Sequence, residues 1–166
     1  CHRTERMLGP WTRLALVPHI LPKLDGVVEK LEGGARVLDV GCGGGIAILT
    51  LAQAFPKSEF HGLDPSSHAI ASAEAKKADL GLDNVVFHRE RGENLEPEPK
   101  WDFVLTFDCI HDMTRPDLVI AAIRRALADD GTWLIKGVHI IALPETEERA
   151  DWESFWASLT FQLGDS

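Results

Sequence analysis

Basic residues are scarce in this chain. Lysine and arginine number 17 against 26 aspartates and glutamates, a formal net charge of −9. Phosphate contacts need a basic face, so nucleic acid is not an expected partner. Long apolar runs are also missing. No stretch approaches the roughly 20 residues that cross a bilayer, so no membrane partner is expected. The start of the chain has no signal-peptide pattern. Cysteines number three (Cys1, Cys42 and Cys109), without CxxC spacing and with one left over from any pairing. That usage points to a reduced, cytoplasmic setting. The first residue is Cys1 rather than methionine, and the natural chain is expected to begin further upstream. Repeats and low-complexity segments are absent.

What remains is an ordinary globular composition over 166 residues, enough for one domain with a real core. Residues 1–20 read as a connector broken by Pro10 and Pro18, left over from an N-terminal domain; residues 21–166 read as the domain itself. A helix is expected from Leu21, with Leu24, Val28 and Leu31 at helical spacing and Gly33-Gly34 as its stop. Strands then alternate with helices. ARVLDV, EFHGLD, NVVFHR, WDFVLTF and TWLIKGVHII read as strands one to five. IAILTLAQAF, SHAIASAEAKKADLG and RPDLVIAAIRRALADDG read as helices, the last with Pro116 in its first turn and Gly131 past its end. The tail DWESFWASLTF sets Trp152, Phe155, Trp156 and Leu159 on one helical face. The alternation predicts a Rossmann-like α/β fold, an open parallel sheet with helices on both faces.

The stretch VLDVGCGGG at residues 37–45 stands out. A buried strand ends in an acid and opens into five residues, four of them glycine. Strand, glycine loop and helix in that order build a ligand site at the carboxyl ends of the strands. A bare strand-to-helix turn needs fewer glycines. A dinucleotide fingerprint fails, because the sixth position is Ile46 or Ile48 where a small residue is required. A P-loop fails for want of a Gly-Lys-Ser/Thr ending. Asp64 ends strand two a little over 20 residues after the loop begins, where an acid can accept ribose hydroxyls. Its competing role is the N-cap of the next helix, which Ser66 or Ser67 can fill instead.

Asp39-x-Gly41-x-Gly43-x-Gly45, with Asp64 behind it, resembles motif I of the class I S-adenosylmethionine-dependent methyltransferases. The resemblance covers residues 21–141. It implies S-adenosyl-L-methionine as cofactor, with Asp39, Gly41, Gly43 and Gly45 around its methionine portion and Asp64 on its ribose. That cofactor carries a cationic ammonium and sulfonium, so an acid beside the loop is favourable. In the family an acid after strand three binds the adenine amino group. The matching place here is Arg91, flanked by Glu90 and Glu93, so Glu90 and Arg91 are the residues to examine on the adenine side. Phe107 and Asp108, at the end of strand four, complete the cofactor set, Asp108 as a partner for the ammonium.

FDCIHDM, after strand four, resembles the ICHDW-type segment of the two-domain winged-helix O-methyltransferases. Their histidine is a general base, and His111 matches it. A hydroxyl acceptor gains from a base whose unperturbed pKa is about 6.5. Where those enzymes often carry a glutamate after strand five, this chain has Gly137. No metal site is expected: Asp108, His111 and Asp112 form no recognised ligand pattern. His61, His68, His88 and His139 read as structural, and the Lys76-Lys77 and Arg124-Arg125 pairs as solvated helix faces.

The expected function is therefore methylation of a hydroxyl on a small-molecule acceptor. The alternatives are an N- or C-methyltransferase in which His111 only shapes the pocket, and a cofactor-binding or dimerisation module without turnover. The family's terminal antiparallel strand pair is expected to be missing. Trp133 would then mark an exposed flank, and a homodimer would be one way to cover it.

Overall fold

A computed structural model of the chain describes residue 12, residues 14–137 and residues 140–143, without the side chains of His111 and 140–143. The aromatic segment 151–161 lies outside the described residues.

Among the described residues, four α-helices and six strands make the frame. They run in the order α1 (Val27–Gly33), β1 (Arg36–Val40), α2 (Ile46–Ala54), β2 (Glu59–Leu63), α3 (Ser67–Leu80), β3 (Val85–His88), β4 (Trp101–Phe107), α4 (Pro116–Ala126), β5 (Leu127–Lys136) and β6 (Ile140–Leu143). The sheet order is β3-β2-β1-β4-β5-β6. The first five strands are mutually parallel and β6 is antiparallel to β5. Chain direction therefore leaves β1 toward β3 and then returns to β4, which puts a crevice above the carboxyl end of β1.

Strand alternation divides the core. Val37, Phe60, Val85, Phe103, Leu105 and Leu134 face α1 and α2. Leu38, Val40, Leu63, Val104 and Trp133 face Val119, Ile123 and Ala126 of α4. With both faces covered, these strands read as near-continuous apolar runs rather than alternating ones.

Several boundaries differ from the sequence reading. Within the described part of the expected connector Leu16 is fully buried in the first cluster, as is Leu21 just after it. Leu16–Ile20 forms a π-helical turn and Leu21–Lys23 a 3₁₀ turn. The first α-helix starts only at Val27, because Leu24 is extended and Gly26 takes a left-handed φ of 71°. The helix expected to end just before Gly131 stops at Ala126, and the chain becomes strand at Leu127, opposite Trp101. Pairing overrides helix propensity there. Gly131 lies so close to β4 that a Cβ would stand 2.8 Å from the Trp101 carbonyl oxygen.

The flank of β5 is also different. TWLIKGVHII divides into β5 and β6, which pair from Trp133↔Leu143 to Lys136↔Ile140. One antiparallel strand, not a pair, is present among the described residues. Trp133 is 2% exposed rather than a mark of an open edge. Its Nε1 donates to Thr106 Oγ1 at 3.0 Å.

Candidate functional site

The loop between β1 and α2 takes its shape from three left-handed glycines, Gly41 (φ 75°), Gly43 (φ 54°) and Gly45 (φ 75°). The N–H groups of Gly41 and Cys42 both donate to the Leu63 carbonyl, at 2.8 and 3.0 Å, and Gly45 N–H donates to the Cys42 carbonyl at 2.9 Å. These bonds tie the loop to the end of β2. The glycines answer to different neighbours. A Cβ on Gly41 would stand 2.7 Å from Cys109 Cβ, and one on Gly45 would stand 2.9 Å from the Phe87 ring and 3.1 Å from Ala73. At Gly43 nothing lies within 4 Å. Two of the three glycines are thus required by protein packing, and Gly43 alone of the three borders open space.

Asp39 sits on β1 just before this loop and is 2% exposed. Its Oδ1 is buried without a hydrogen-bond partner. Burial, and then the Asp64 carboxylate, push its pKa up to about 7. A buried acceptor with no donor, beside an uncovered glycine, suits a ligand that brings an ammonium group. Asp64 is engaged within the chain. Its Oδ2 accepts the Gly43 N–H at 3.0 Å and its Oδ1 accepts the Ser66 N–H at 2.8 Å. Ser66, not Asp64, is the N-cap of α3, accepting from Ala69 N–H at 3.3 Å. Asp64 thereby holds the loop at its open glycine.

The strand ends beyond show what the other candidates do. Glu90 is exposed, and its Oε1 accepts from Arg91 N–H at 2.9 Å and from Asn94 Nδ2 at 2.7 Å. These bonds lower its pKa and close the 3₁₀ turn Gly92–Asn94, for which Arg91 is the N-cap. Phe107 packs at the rim of the first core cluster. Asp108 has a positive φ of 49°. Its N–H donates to the Lys136 carbonyl at 2.7 Å, and its Oδ2 accepts from Lys136 Nζ. Lys136 is buried and Asp108 half-buried, so this is a part-buried ion pair across the ends of β4 and β5. The ammonium role expected of Asp108 would compete with that pair.

His111 lies in the 3₁₀ turn Ile110–Asp112, and its side chain is outside the described residues. The turn is nonetheless fixed against the loop. Cys109 fills the space over Gly41 and its thiol donates to the Val40 carbonyl at 3.1 Å. Burial, and then Asp39, Asp108, Asp64 and Asp112, push the Cys109 thiol up, so it stays protonated. Four carboxylates therefore bear on one point above β1 and β4.

Some contributors were not visible in the sequence. Lys76 Nζ donates to the Gly44 carbonyl at 2.9 Å, so it is not simply part of a solvated helix face. Gly62 lets Phe87 and Cys42 close in, since a Cβ there would stand 2.7 Å from the Phe87 ring. A glycine inside a strand was its available signal. His61 is held by its neighbours. Its Nδ1 lies 2.9 Å from His88 Nε2, its Nε2 lies 2.6 Å from Glu59, and its ring packs edge-on to Trp101. Among the described residues no cluster of His, Cys, Asp and Glu has the makings of a metal site, and no helix is long and apolar enough to cross a membrane.

The fold, with its acid-and-glycine crevice at the end of β1, is a Rossmann-like domain whose crevice lies where such sheets take their ligands. The family described as Methyltransferase domain matches residues 31–160, and the chain belongs to it, as a class I S-adenosylmethionine-dependent methyltransferase domain. Ribosomal RNA small subunit methyltransferase G of Chromobacterium violaceum is 33% identical over 73% of this chain and 56% of its own. (S)-Coclaurine N-methyltransferase of Papaver somniferum is 29% identical over 85% of this chain and 41% of its own. The structure of PKMT2 from Rickettsia typhi in complex with AdoHcy superposes with a TM-score of 0.59 at 27% identity, covering 63% of this chain and 21% of that one. The chain spans 40% to 56% of the length of the curated relatives it matches. The cofactor expected from the loop, S-adenosylmethionine, agrees with the family and with this neighbour.

One expectation is overturned. Relatives in several bacteria are ribosomal RNA methyltransferases, so the exclusion of nucleic acid does not stand. Net charge was the wrong warrant. It averages over a whole chain, whereas contact with RNA needs only a local surface, and this chain is about half the length of those relatives.

Proposed function

We propose that this domain transfers the methyl group of S-adenosylmethionine to a hydroxyl of a small-molecule acceptor. Asp39, Gly43 and Asp64 hold the donor in this reading. Asp39 takes the ammonium, Gly43 lets the methionine portion reach the backbone, and Asp64 turns toward the ribose. The observation that carries the reading is the orphaned Oδ1 of buried Asp39 next to the uncovered Gly43. His111 is the general base. In support, Cys109, two residues before His111, packs over Gly41 of the loop. When bound, the donor supplies an electrophilic methyl carbon. The chain's own residues hold acceptor and donor in line and accept the acceptor's proton.

A second reading follows from the relatives. Coclaurine N-methyltransferase and the ribosomal RNA enzymes favour an acceptor nitrogen or an RNA, with His111 shaping the pocket only. Labelled methyl transfer to phenols, amines and small-subunit ribosomal RNA separates the readings. Under the first, phenols are labelled, and His111→Ala and His111→Gln each lower turnover by roughly 10²–10⁴-fold with cofactor affinity unchanged. Near-normal turnover per folded molecule in both variants would remove His111 as base and leave the second reading.

A further inference from the structure

We infer that Lys76 is a positioning residue for the cofactor, acting through the Gly44 carbonyl. The inference rests on the assignment of the glycine loop to the donor. A loop of four glycines has more conformational freedom than any other five residues of the chain, and a ligand must order whatever the protein leaves loose. The free protein orders most of it already. The Leu63 carbonyl takes the Gly41 and Cys42 N–H groups, and Asp64 takes the Gly43 N–H. Those bonds hold donors on the near side of the loop. The outer peptide, Gly44–Gly45, is held at both ends: its N–H donates to the Cys42 carbonyl at 2.9 Å within the loop, and its carbonyl is held from α3. Lys76 Nζ reaches the Gly44 carbonyl at 2.9 Å from a partly buried position.

Helix α3 is shaped for this task. Its cap Ser66 is bonded to Asp64. Ala69 and Ala73 are buried, and Ala73 backs Gly45 at 3.1 Å from the place of a Cβ. Ala69, Ala73 and Lys76 stand at i, i+4 and i+7, one stripe of the helix. Two short side chains let the helix close on the loop, and the long one passes over the rim. Drawing the Gly44 carbonyl toward α3 keeps that oxygen out of the open space above Gly43. Lys77, the next residue, pairs with Glu74 at 3.7 Å. It provides the matched control.

The role has a signature that bare charge lacks. Removing an ammonium near a cationic ligand would strengthen binding of S-adenosylmethionine relative to neutral-sulfur S-adenosylhomocysteine. Loss of a positioning bond weakens both by the same factor. The experiment is calorimetric titration of both ligands into wild type, Lys76→Met, Lys76→Arg and Lys77→Met, with amide hydrogen exchange of residues 43–46 in the free proteins. The expected result for Lys76→Met is about a tenfold loss for both ligands, faster exchange at the loop and an unchanged melting temperature. Lys76→Arg should recover part of the affinity, and Lys77→Met should match wild type. Unchanged loop exchange in Lys76→Met overturns the inference, as does equal weakening by Lys77→Met. Wild type failing to bind either ligand would instead sink the donor assignment, while the exchange data still decide whether Lys76 orders the loop.

Discussion

At the scale of single residues, the site separates glycines that look alike in sequence. Gly41 and Gly43 both have positive φ, so alanine is strained at either. Their surroundings differ: Gly41 is pressed by Cys109, and Gly43 has open space. Gly41→Ala should therefore cost roughly 1–3 kcal/mol of stability from overpacking and strain together. Gly43→Ala should cost only the conformational part, about 1 kcal/mol. The ligand consequence is reversed, with Gly43→Ala losing S-adenosylhomocysteine affinity at least tenfold because the methyl enters the space the ligand needs. Urea titration and calorimetry on the two variants check both halves. A Gly43→Ala protein with wild-type affinity would take that residue out of the site.

At the scale of elements, buried side chains substitute for backbone partners where helices end. Ser58 is 2% exposed and stands between α1 and β1. Its Oγ accepts the Ala35 N–H at 2.9 Å and donates to the Leu31 carbonyl at 2.6 Å. Leu31 is in the last turn of α1, where carbonyls lack helical partners. Ser58→Ala should destabilise the domain by about 1–3 kcal/mol, the cost of leaving buried backbone groups without this hydroxyl. The midpoint of chemical denaturation is the measurement, and a shift within error would mean the ends of α1 and β1 are held in other ways. Asn84 does similar work for α2, donating from Nδ2 to the Ala52 and Ser58 carbonyls at 3.2 Å. The Ser58 contacts join the end of α1 to the start of β1.

At the scale of the whole molecule, Asp39 couples stability to pH and to ligand. Its carboxyl titrates at about 7 in the folded chain against 3.8 unfolded. Between those values the folded state binds the extra proton, so this group's contribution is fully present below pH 3.8. It falls as pH rises and is lost above about pH 7. A ligand ammonium beside Asp39 reverses the trend, because it favours the ionised form. S-adenosylhomocysteine should consequently raise the melting temperature more at pH 8 than at pH 6, and Asp39→Asn should abolish that difference. Calorimetric scans at the two pH values test it. Equal ligand-induced shifts in wild type would mean that the ammonium is held elsewhere.

The sequence by itself determined the α/β alternation, the five parallel strands and the crevice at the end of β1. Those features follow from local patterns: short β-branched runs, helical spacing, and a glycine cluster after a buried strand. It also singled out Asp39 and Asp64, because an acid at a strand end has few structural reasons to be there. Tertiary structure decided the rest. Helix α4 gives way at Ala126 because Leu127 pairs with Trp101, a partner 26 positions away. Trp133 is buried because its strand face meets α4, which periodicity in a strand buried on both faces cannot reveal. Asp108 joins Lys136, and Lys76 joins Gly44, across separations of 28 and 32 residues. Such contacts depend on how elements pack, and no local pattern records which polar side chain a distant backbone will meet.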